Sequence, residues 1–540
     1  MNRVTDLLSS MRTSGVRLWV DRGQLRCRAL RGLLTAEQVG LLRERRHEII
    51  AALTLTQNTD ADAVTRARQS MSEPAPLAIQ QDPDGKSFHK YANGMNAWVR
   101  CALRLRWIVD VDVLRKSVAT VVRRHESLRT RIIVVDGMPK QQIDAPNEDP
   151  LELVKLSAES GDDVENDVRR SLEKLFTRHV DLGIGPLFEI KLFQLDEQDY
   201  VLAVTIDRIL CDGASLALLL GEIWVAYRDL LHRRQSSLSK ISMQYADYAA
   251  WQQSRRPYWL AGNDTYWEVR LFGAVRTHLM KDSGLETVKR LSVAILPVSF
   301  GKTLSSALQN LASRERTTLG FVVLALCAAT LSCWCDQRDF IVPVIVSGRH
   351  RPEHVNLIGS LAHALPLRIQ LSGDETFMDL LHIVSQEFFA AHEHIESYVH
   401  IELAKLADSS QLPDLYRGLW FNWVPPELED TDPPFGVEPF PVEVPLGSFV
   451  PAGEIGLSFS NTTQGICGHG VYRADLLTAN TVQRFLQLFR EIAENVANDP
   501  HARVTHVPNI AMAISGVSRF ADGNPDRTDQ SREAPQNGNQ

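Results

Sequence analysis

The segment that decides the fold reads Asp207-Arg208-Ile209-Leu210-Cys211-Asp212-Gly213. It follows an apolar run from Val201 to Ile206, which has the length and composition of a buried strand. It leads into a second apolar run that begins Ala214-Ser215-Leu216 and continues as a helix. The sequence therefore predicts a charged corner at the end of a strand, where binding and catalytic side chains are often placed.

The composition is typical of a soluble protein with several structural units. The 540 residues are 44% hydrophobic and 23% charged, which is an ordinary balance. A net charge of -8 argues against binding of nucleic acid by bulk electrostatics. Seven scattered cysteines indicate free thiols in a reducing compartment, and no signal peptide is evident. We expect a cytoplasmic protein with no nucleic-acid or membrane partner.

One apolar run needs separate attention. Residues Thr317 to Cys335 contain no charged side chain and are nearly long enough to cross a bilayer. Glycine, serine and threonine interrupt the run, and no second run of this kind accompanies it. The sequence predicts a buried core helix at this position.

The first 54 residues have the pattern of a small separate unit. Apolar residues at helical spacing occupy 4–11, and two alternating runs at 16–20 and 24–29 flank an Asp-Arg-Gly turn. Thr35 begins a second helical pattern, with Gln38 placed as in a capping box. The predicted order is helix, hairpin, helix.

This unit resembles the TubC-type docking domain of hybrid synthetases, in VRLWV at 16–20, LRCRAL at 25–30 and LTAEQ at 34–38. Such domains bind a short, often acidic C-terminal peptide of an upstream synthase along the hairpin edge. The unit has ten arginines and five acidic residues, which suits an acidic strand. A solvated basic surface is the alternative. The resemblance implies partner contacts from Arg17, Trp19, Arg26 and Arg28.

The rest of the chain divides by composition. Residues 55–76 are polar and rich in linker residues, and 508–540 have the composition of a disordered tail. Between them, strand-like and helix-like runs alternate in a mixed α/β pattern, with helices predicted at 111–124, 303–312 and 479–496. We place a first lobe at 77–255 and a second at 256–507.

Several ordered stretches of this α/β region resemble the condensation domains of nonribosomal peptide synthetases. The opening segment keeps the Asp-Gly half of the family's HHxxxDG signature, with Asp207 and Arg208 in place of the two histidines. Five other stretches match in the family's order: RHExLRT at 124–130, DLxxGPL at 181–187, YxDYAxW at 245–251, GRxxPE through IG at 348–359, and the closing Pro366-Leu367-Arg368.

The resemblance implies an α/β, chloramphenicol-acetyltransferase-like fold of two lobes with a tunnel between them. It also implies substrates held as thioesters on the phosphopantetheine arms of donor and acceptor carrier proteins, with no directly bound cofactor. We found no adenylation or carrier motif after the α/β region, and expect the protein to act in trans.

Other departures from the family pattern lie near the predicted site. The first family motif keeps only a trace at 76–81, and the last is altered at 415–420. The IGxFVNT motif becomes Ile358 through Ala364, so that His363 stands in the position of its asparagine.

These departures bear on the chemistry. Attack of an amine or hydroxyl on a thioester needs a proton acceptor and stabilisation of an oxyanion. Arg208 stays protonated and cannot be a base, although it could bind a carboxylate or an oxyanion. In the family, the position of Asp212, followed by Gly213, is structural and pairs with an arginine of the opposite lobe. By position, Arg290 is the candidate partner.

His363 is the candidate for a relocated base. The resemblance places it across the tunnel from Arg208, and a nearby fixed cation would lower its pKa and keep it neutral. The alternative is a packing residue in a degenerate site. The histidines at 392–400 lack a spacing that would place them on one helix face, so we predict no metal site.

Two relatives of the condensation domains give further alternatives. Asp207, Asp212 and Ser215 have the D-x4-D-x2-S spacing of heterocyclization domains, whereas residues 352–359 have the condensation pattern. Arg208 and Asp212 match part of the HRxxxDD signature of X domains, which recruit oxygenases and catalyse nothing. The sequence therefore leaves two hypotheses: a condensation enzyme with an atypical site, and an inactive scaffold that docks synthases or recruits a tailoring enzyme.

Overall fold

The computed structural model describes most of the α/β region and parts of the N-terminal unit. The described residues are 17–21, 24–28, 40, 42–46, 48–50, 73–81, 98–156, 164–260, 265–275, 277, 279, 292–398, 418–424, 437–440 and 453–504. The predicted helix at 4–11, the linker at 55–72 and the tail at 508–540 lie outside these residues.

The N-terminal unit contains the predicted hairpin. Strands β1 (Arg17–Asp21) and β2 (Gln24–Arg28) pair antiparallel. Residues within 40–50 are helical, with Leu42 and Ile49 buried. The hairpin and the following helix are thereby confirmed.

The first lobe alternates strands and helices in the predicted manner. Asp110 caps α1 by accepting a hydrogen bond from the backbone of Val113, and His125 ends it. In chain order the elements are β3 (Ala75–Pro76), β4 (Trp98–Leu105), α1 (Val111–Arg124), β5 (Thr130–Val135), β6 (Met138–Ile143), β7 (Leu151–Lys155), α2 (Val164–Thr177), β8 (Phe188–Asp196), β9 (Asp199–Asp207), α3 (Gly213–Leu231) and α4 (Tyr245–Leu260).

The second lobe repeats this style of alternation. Its elements are α5 (Tyr266–Leu271), β10 (Val293–Ser299), α6 (Gly301–Arg314), α7 (Leu319–Cys335), β11 (Asp339–Val346), β12 (His363–Gln370), α8 (Phe377–Glu393), β13 (Leu419–Val424), β14 (Val437–Pro439), β15 (Ile455–Thr462), β16 (Gly465–Arg473) and α9 (Ala479–Asn498). The helices predicted within α6 and α9 are confirmed, with bounds extended by about a turn at most.

Each lobe is built on its own sheet. The described strands of the first lobe form a sheet in the order β14-β4-β9-β8-β7 and a smaller one in the order β3-β6-β5. Those of the second form a sheet in the order β10-β16-β15-β13-β11-β12. Strand β9 is central, and its residues from Tyr200 to Asp207 are all buried. A central strand covered on both faces is apolar throughout, which explains the run that precedes the charged corner.

Strand β14 belongs by sequence to the second lobe and by pairing to the first. It pairs antiparallel with β4, and the backbone of Phe440 then donates to the carbonyl of Ala102. Phe440 is buried against the first lobe, among side chains of α2 and β9. If the chain is divided at residue 255, the short segment 437–440 falls in the second lobe by sequence although it pairs and packs with the first.

Helix α7 is the apolar run found in the sequence, and it lies in the core of the second lobe. Thr318 caps its N-terminus, and most of its side chains are buried. Among the described helices, none is by itself long and apolar enough to cross a membrane. Helices α6 and α7 pass that test only as a pair, and they meet at a bend of 108°. The prediction of a buried core helix is confirmed.

Two glycines on β16 give a matched test of the packing in the second sheet. A Cβ at Gly468 would lie 2.0 Å from the carbonyl oxygen of Ser458, whereas a Cβ at Gly470 would come no closer than 3.4 Å to a side-chain atom of Leu457. Neither glycine has a positive φ angle. We expect Gly468→Ala to lower the free energy of unfolding by about 1–3 kcal/mol through overpacking. Gly470→Ala should leave it nearly unchanged in the same urea titration, and equal effects would contradict the packing described.

Candidate functional site

The charged corner begins where β9 ends. Asp207 is fully buried, and its carboxylate accepts a hydrogen bond of 2.9 Å from the backbone of Ile209. The carbonyl of Ile209 accepts a bond of 2.9 Å from the side chain of Gln81, which lies in the altered first motif. Arg208, between them, is exposed on the turn. The aspartate thus closes the turn, and the arginine faces outward.

Asp212 joins the corner to the second lobe. Its side chain caps α3 by accepting from the backbone of Ser215 at 2.8 Å. Its Oδ2 and Oδ1 also accept from the two terminal nitrogens of Arg349, at 3.0 and 3.1 Å. The backbone amides of Leu361 and Ala362 add bonds of 3.0 and 2.9 Å to Oδ2. The carboxylate therefore accepts five hydrogen bonds, four of them from the second lobe.

The arginine that the structure pairs with Asp212 is Arg349, whereas Arg290 was the candidate expected by position. Arg290 lies outside the described residues, and the bidentate contact with Arg349 together with three backbone amides fills the carboxylate. Arg349 follows the end of β11 and belongs to the GRxxPE stretch, which brings it to the corner. The side chains of Arg349 and Asp212 are 9% and 7% exposed, so the ion pair lies away from water.

The segment 359–362 is held by side chains of the first lobe. Ser215 Oγ accepts from the backbone of Gly359 at 3.0 Å and donates to its carbonyl at 2.8 Å. Tyr245 Oη donates to the carbonyl of Ser360 at 2.8 Å, and its ring lies where a Cβ of Gly359 would stand. Only glycine fits against this ring.

His363 follows this segment and opens β12. Its Nδ1 lies 3.0 Å from the carbonyl oxygen of Leu361, which can only accept, so Nδ1 carries the proton. Its Nε2 is buried and has no hydrogen-bond partner among the described residues. In the neutral ring Nε2 is a proton acceptor, so the site contains one oriented and unused acceptor nitrogen.

The pKa of His363 is lowered to about 4. Burial of the ring is the largest cause, and the hydrogen bond to Leu361 offsets only part of it. The charge of His350 lowers the pKa further, whereas that of Asp212 raises it. A lowered pKa was expected from the sequence, but the expected cause, the cation of Arg208, was wrong.

Gly213 leaves open space at the start of α3. A Cβ added there would meet no atom within 4 Å, and the residue does not have a positive φ angle. The backbone therefore does not require glycine at this position. The space beside it lies next to the corner formed by Asp212.

The matched RHExLRT stretch makes contacts within the first lobe. In the RHExLRT stretch, Arg124 and His125 both bind the carboxylate of Glu222 on α3, at 2.9 and 2.7 Å. Burial would raise the pKa of Glu222, but these two partners outweigh it and lower the pKa. The stretch thus ties the end of α1 to α3 and does not reach the corner.

The two residues that follow Arg349 belong to a second polar cluster, centred on Glu396. His350 and Arg351 bind the carboxylate of Glu396 at 3.0 and 2.7 Å. Burial would raise the pKa of Glu396, but these partners hold it well below its ordinary value. Arg351 also lies over the ring of Trp251 at 4.8 Å. The tripeptide that carries Arg349 is therefore fixed on both sides.

The histidines near the end of α8 do not converge. His394 stacks on Tyr266 at 4.2 Å, His392 packs against Phe388 at 5.7 Å, and His400 lies outside the described residues. Within the part of the chain that the structure describes, no group of three or more His, Cys, Asp or Glu residues could hold a metal ion.

The hairpin places the predicted partner-binding residues in two register pairs. Arg17 lies opposite Arg28, and Trp19 lies opposite Arg26. Alternate positions of a strand lie on one face, so these four positions share a face of the hairpin. The partner itself stays a prediction.

Sequence reasoning missed several residues of the corner. Gln81, Tyr245 and Arg349 were recognised only as parts of motifs, and Ser215 only as part of a spacing. Their signal was present, since a buried polar side chain must find partners. What the sequence lacked was the fold that brings 81, 245 and 349 to one corner.

Two family models match the chain. The condensation domain model matches residues 87–416, which is more than half of the chain. The TubC N-terminal docking domain model matches residues 4–54. Both resemblances found in the sequence are confirmed.

Relatives and solved structures agree with these matches. A linear gramicidin synthase of Brevibacillus parabrevis is 27% identical over 452 residues, which cover 81% of this chain and only 9% of that protein. The X-domain from teicoplanin biosynthesis superposes with a TM-score of 0.66 at 21% identity, over 82% of this chain and 98% of that one. The cyclization-docking bidomain of EpoB from Sorangium cellulosum superposes with a TM-score of 0.66 at 17% identity, over 93% of this chain and 99% of that one. The two-lobed, chloramphenicol-acetyltransferase-like fold is confirmed.

The lowered pKa of His363 predicts a pH dependence of stability. The unfolded chain takes up a proton on this ring near its ordinary pKa of about 6.5, whereas the folded chain does so only near pH 4. The stability that His363 contributes is therefore fully present above about pH 6.5 and is lost as the pH falls towards 4. In urea titrations across this window, His363→Gln should show a shallower loss of unfolding free energy than the wild type. Equal slopes would contradict a buried neutral ring.

Proposed function

The chain belongs to the condensation domain family, and on that premise we propose that it acts in trans on a nonribosomal peptide or peptide–polyketide assembly line. It joins a donor acyl group to an acceptor amine or hydroxyl, both carried on phosphopantetheine arms of partner carrier proteins. A carbon–nitrogen or carbon–oxygen bond forms and the carbon–sulfur bond of the donor thioester breaks. The proton of the nucleophile passes to an acceptor on the protein and then to the leaving thiolate.

The observation that carries this proposal is the unpaired Nε2 of His363. A buried acceptor without a donor is unfavourable by about 1–3 kcal/mol, so a site that keeps one is suited to a ligand that supplies the donor. The amine or hydroxyl of an acceptor substrate is such a donor. Because Nδ1 is bonded to Leu361, the ring has one tautomer and one direction for its lone pair.

The low pKa of His363 suits a positioning acceptor better than a strong base. With a pKa of about 4, the ring is neutral at physiological pH and can accept a hydrogen bond from the nucleophile. Entry of a polar substrate and formation of an oxyanion nearby would both favour the imidazolium and raise this pKa during the reaction. His363 takes up the proton of the nucleophile at that stage and then gives it to the leaving thiolate.

Arg208 has a different part in this proposal. Its guanidinium is always charged and its side chain is exposed on the turn, so it is suited to an anionic group. A phosphate of a pantetheine arm or the oxyanion fits that charge. Asp207 and Asp212 shape the corner, since their carboxylates are used by backbone amides and Arg349.

The partner of the N-terminal unit is proposed to be an acidic C-terminal peptide of an upstream synthase. The register of β1 and β2 places Arg17 and Arg28 opposite each other, and three of the six positions on that face are arginines, against one acidic residue, Asp21. An added acidic strand would pair with the hairpin edge and meet this charge.

A second candidate function is an inactive scaffold that bridges synthases or recruits a tailoring enzyme. Two observations favour it. Arginine stands where the family has its second histidine, and Nε2 of His363 is closed off from water in this conformation. An active site would have to admit substrate by a movement of the surrounding side chains.

Reconstitution with loaded carrier proteins distinguishes the two functions. Donor and acceptor carriers are charged, the protein is added, and the mass of each carrier-bound species is followed. We expect product with the wild type, a loss of about 100-fold or more with His363→Ala, and no loss with His382→Ala, an exposed histidine on α8. Arg208→Ala should weaken the reaction less than His363→Ala.

Other outcomes assign the scaffold. No product with any carrier pair, together with stable binding of carriers or of a tailoring enzyme, would contradict condensation. Product that appears only after Arg208→His would indicate an enzyme whose original base was lost.

A further inference from the structure

The segment that leads to His363 is held almost entirely from the other lobe. Gly359 is bonded at both backbone groups by Ser215, the carbonyl of Ser360 by Tyr245, and the amides of Leu361 and Ala362 by Asp212. Ser215 and Asp212 lie at the start of α3, and Tyr245 begins α4. Strand β12 belongs to the second lobe, but the segment leading to its first residue, His363, is held by side chains of the first lobe.

Tyr245 differs from Asp212 and Ser215 in its hydrogen-bond partners. Asp212 and Ser215 also bind Arg349, and both belong to the ion-paired corner. Tyr245 does not bind Arg349 in any described contact. Its side chain is 2% exposed, and its hydroxyl makes one bond, to the carbonyl one residue before Leu361.

The bond from Tyr245 acts on the peptide that orients His363. The carbonyl of Ser360 and the amide of Leu361 belong to one peptide plane, since a peptide bond is planar. Tyr245 holds the oxygen of that plane and Asp212 holds its nitrogen. The next peptide plane joins the carbonyl of Leu361 to the amide of Ala362, which Asp212 also binds, and its carbonyl oxygen lies 3.0 Å from Nδ1 of His363. The Ser360–Leu361 plane therefore sets where this second plane begins.

We propose that Tyr245 is a positioning residue, which fixes the Ser360–Leu361 peptide so that the imidazole of His363 keeps its Nδ1–H tautomer and presents Nε2 to the substrate. The hydroxyl touches no reacting atom and acts only through the backbone. The role rests on the proposed function, because the direction of Nε2 matters only if His363 accepts a proton. The titratable and charged groups whose fields act on the ring are Asp212 and His350.

Helix α4 supplies a matched control. Tyr248 lies about one turn after Tyr245, stacks on it at 5.8 Å and is equally buried. Its hydroxyl accepts from Gln80 and Gln252 and makes no described contact with 359–362. Tyr248→Phe therefore removes the same atom from the same helix without touching the segment that carries His363.

The test reads the tautomer of His363 by nitrogen NMR of the full chain, independently of activity. We expect one Nδ1–H tautomer in the wild type and in Tyr248→Phe, and a mixture of tautomers in Tyr245→Phe. An unchanged tautomer in Tyr245→Phe would overturn the positioning role. If Tyr245→Phe does not fold, a fluorotyrosine at 245, compared with one at 248, should shift the Nδ1 resonance only at the first position, and no shift would likewise overturn it.

The carrier assay adds a second readout. Tyr245→Phe should lower kcat by about 10-fold to 100-fold and leave KM near the wild-type value, since the carrier contacts are intact while the acceptor nitrogen is misaligned. A raised KM with an unchanged kcat would contradict the role. A wild type that forms no product would contradict the proposed function, and the tautomer comparison would still decide the positioning role.

Discussion

The buried ion pair between Asp212 and Arg349 is the constraint on which the corner depends. Removing a carboxylate and a guanidinium from water is unfavourable, and here each side chain is less than a tenth exposed, so the pair needs further hydrogen bonds to offset the loss of hydration. Asp212 meets this condition with five bonds. The two terminal nitrogens of Arg349 donate to Asp212, Ser215 and the carbonyls of Ser347 and Leu357, whereas its buried Nε has no hydrogen-bond partner among the described residues. Because the partners come from different lobes, satisfying the charges also fixes how the end of β9 faces the start of β12.

The hydrogen bonds of this corner show which of its side chains have structural roles. The acidic residues of the altered signature are fully used: Asp207 closes its turn and Asp212 holds α3 and the second lobe. The neutral imidazole of His363 lies one residue beyond an amide that Asp212 binds, and in the proposed function it is the group that accepts the proton. The hydrogen bonds that hold Asp207 and Asp212 in place do not involve the imidazole of His363.

The sequence allowed most of the fold to be predicted, and less of the site. Helix α1 was predicted with its observed bounds because its amphipathic period is strong, and β9 because a central strand is continuously apolar. Strand β14 was missed because three residues carry no period, and β16 because its glycines and histidine hide the alternation. Arg290 was preferred to Arg349 since spacing along a chain does not reveal which arginine a β-strand carries to the corner. The neutral His363 was expected, but its burial could be known only from the packing.

A double-mutant cycle on Asp212 and Arg349 tests the central claim most directly. The free energy of unfolding is measured for the wild type, Asp212→Asn, Arg349→Gln and the double variant. If the pair organises the corner, each single variant leaves a buried group poorly matched, and the coupling energy should reach about 1–3 kcal/mol. Effects that add to within about 0.5 kcal/mol would contradict the account, since independent residues would then hold the two lobes together at this point.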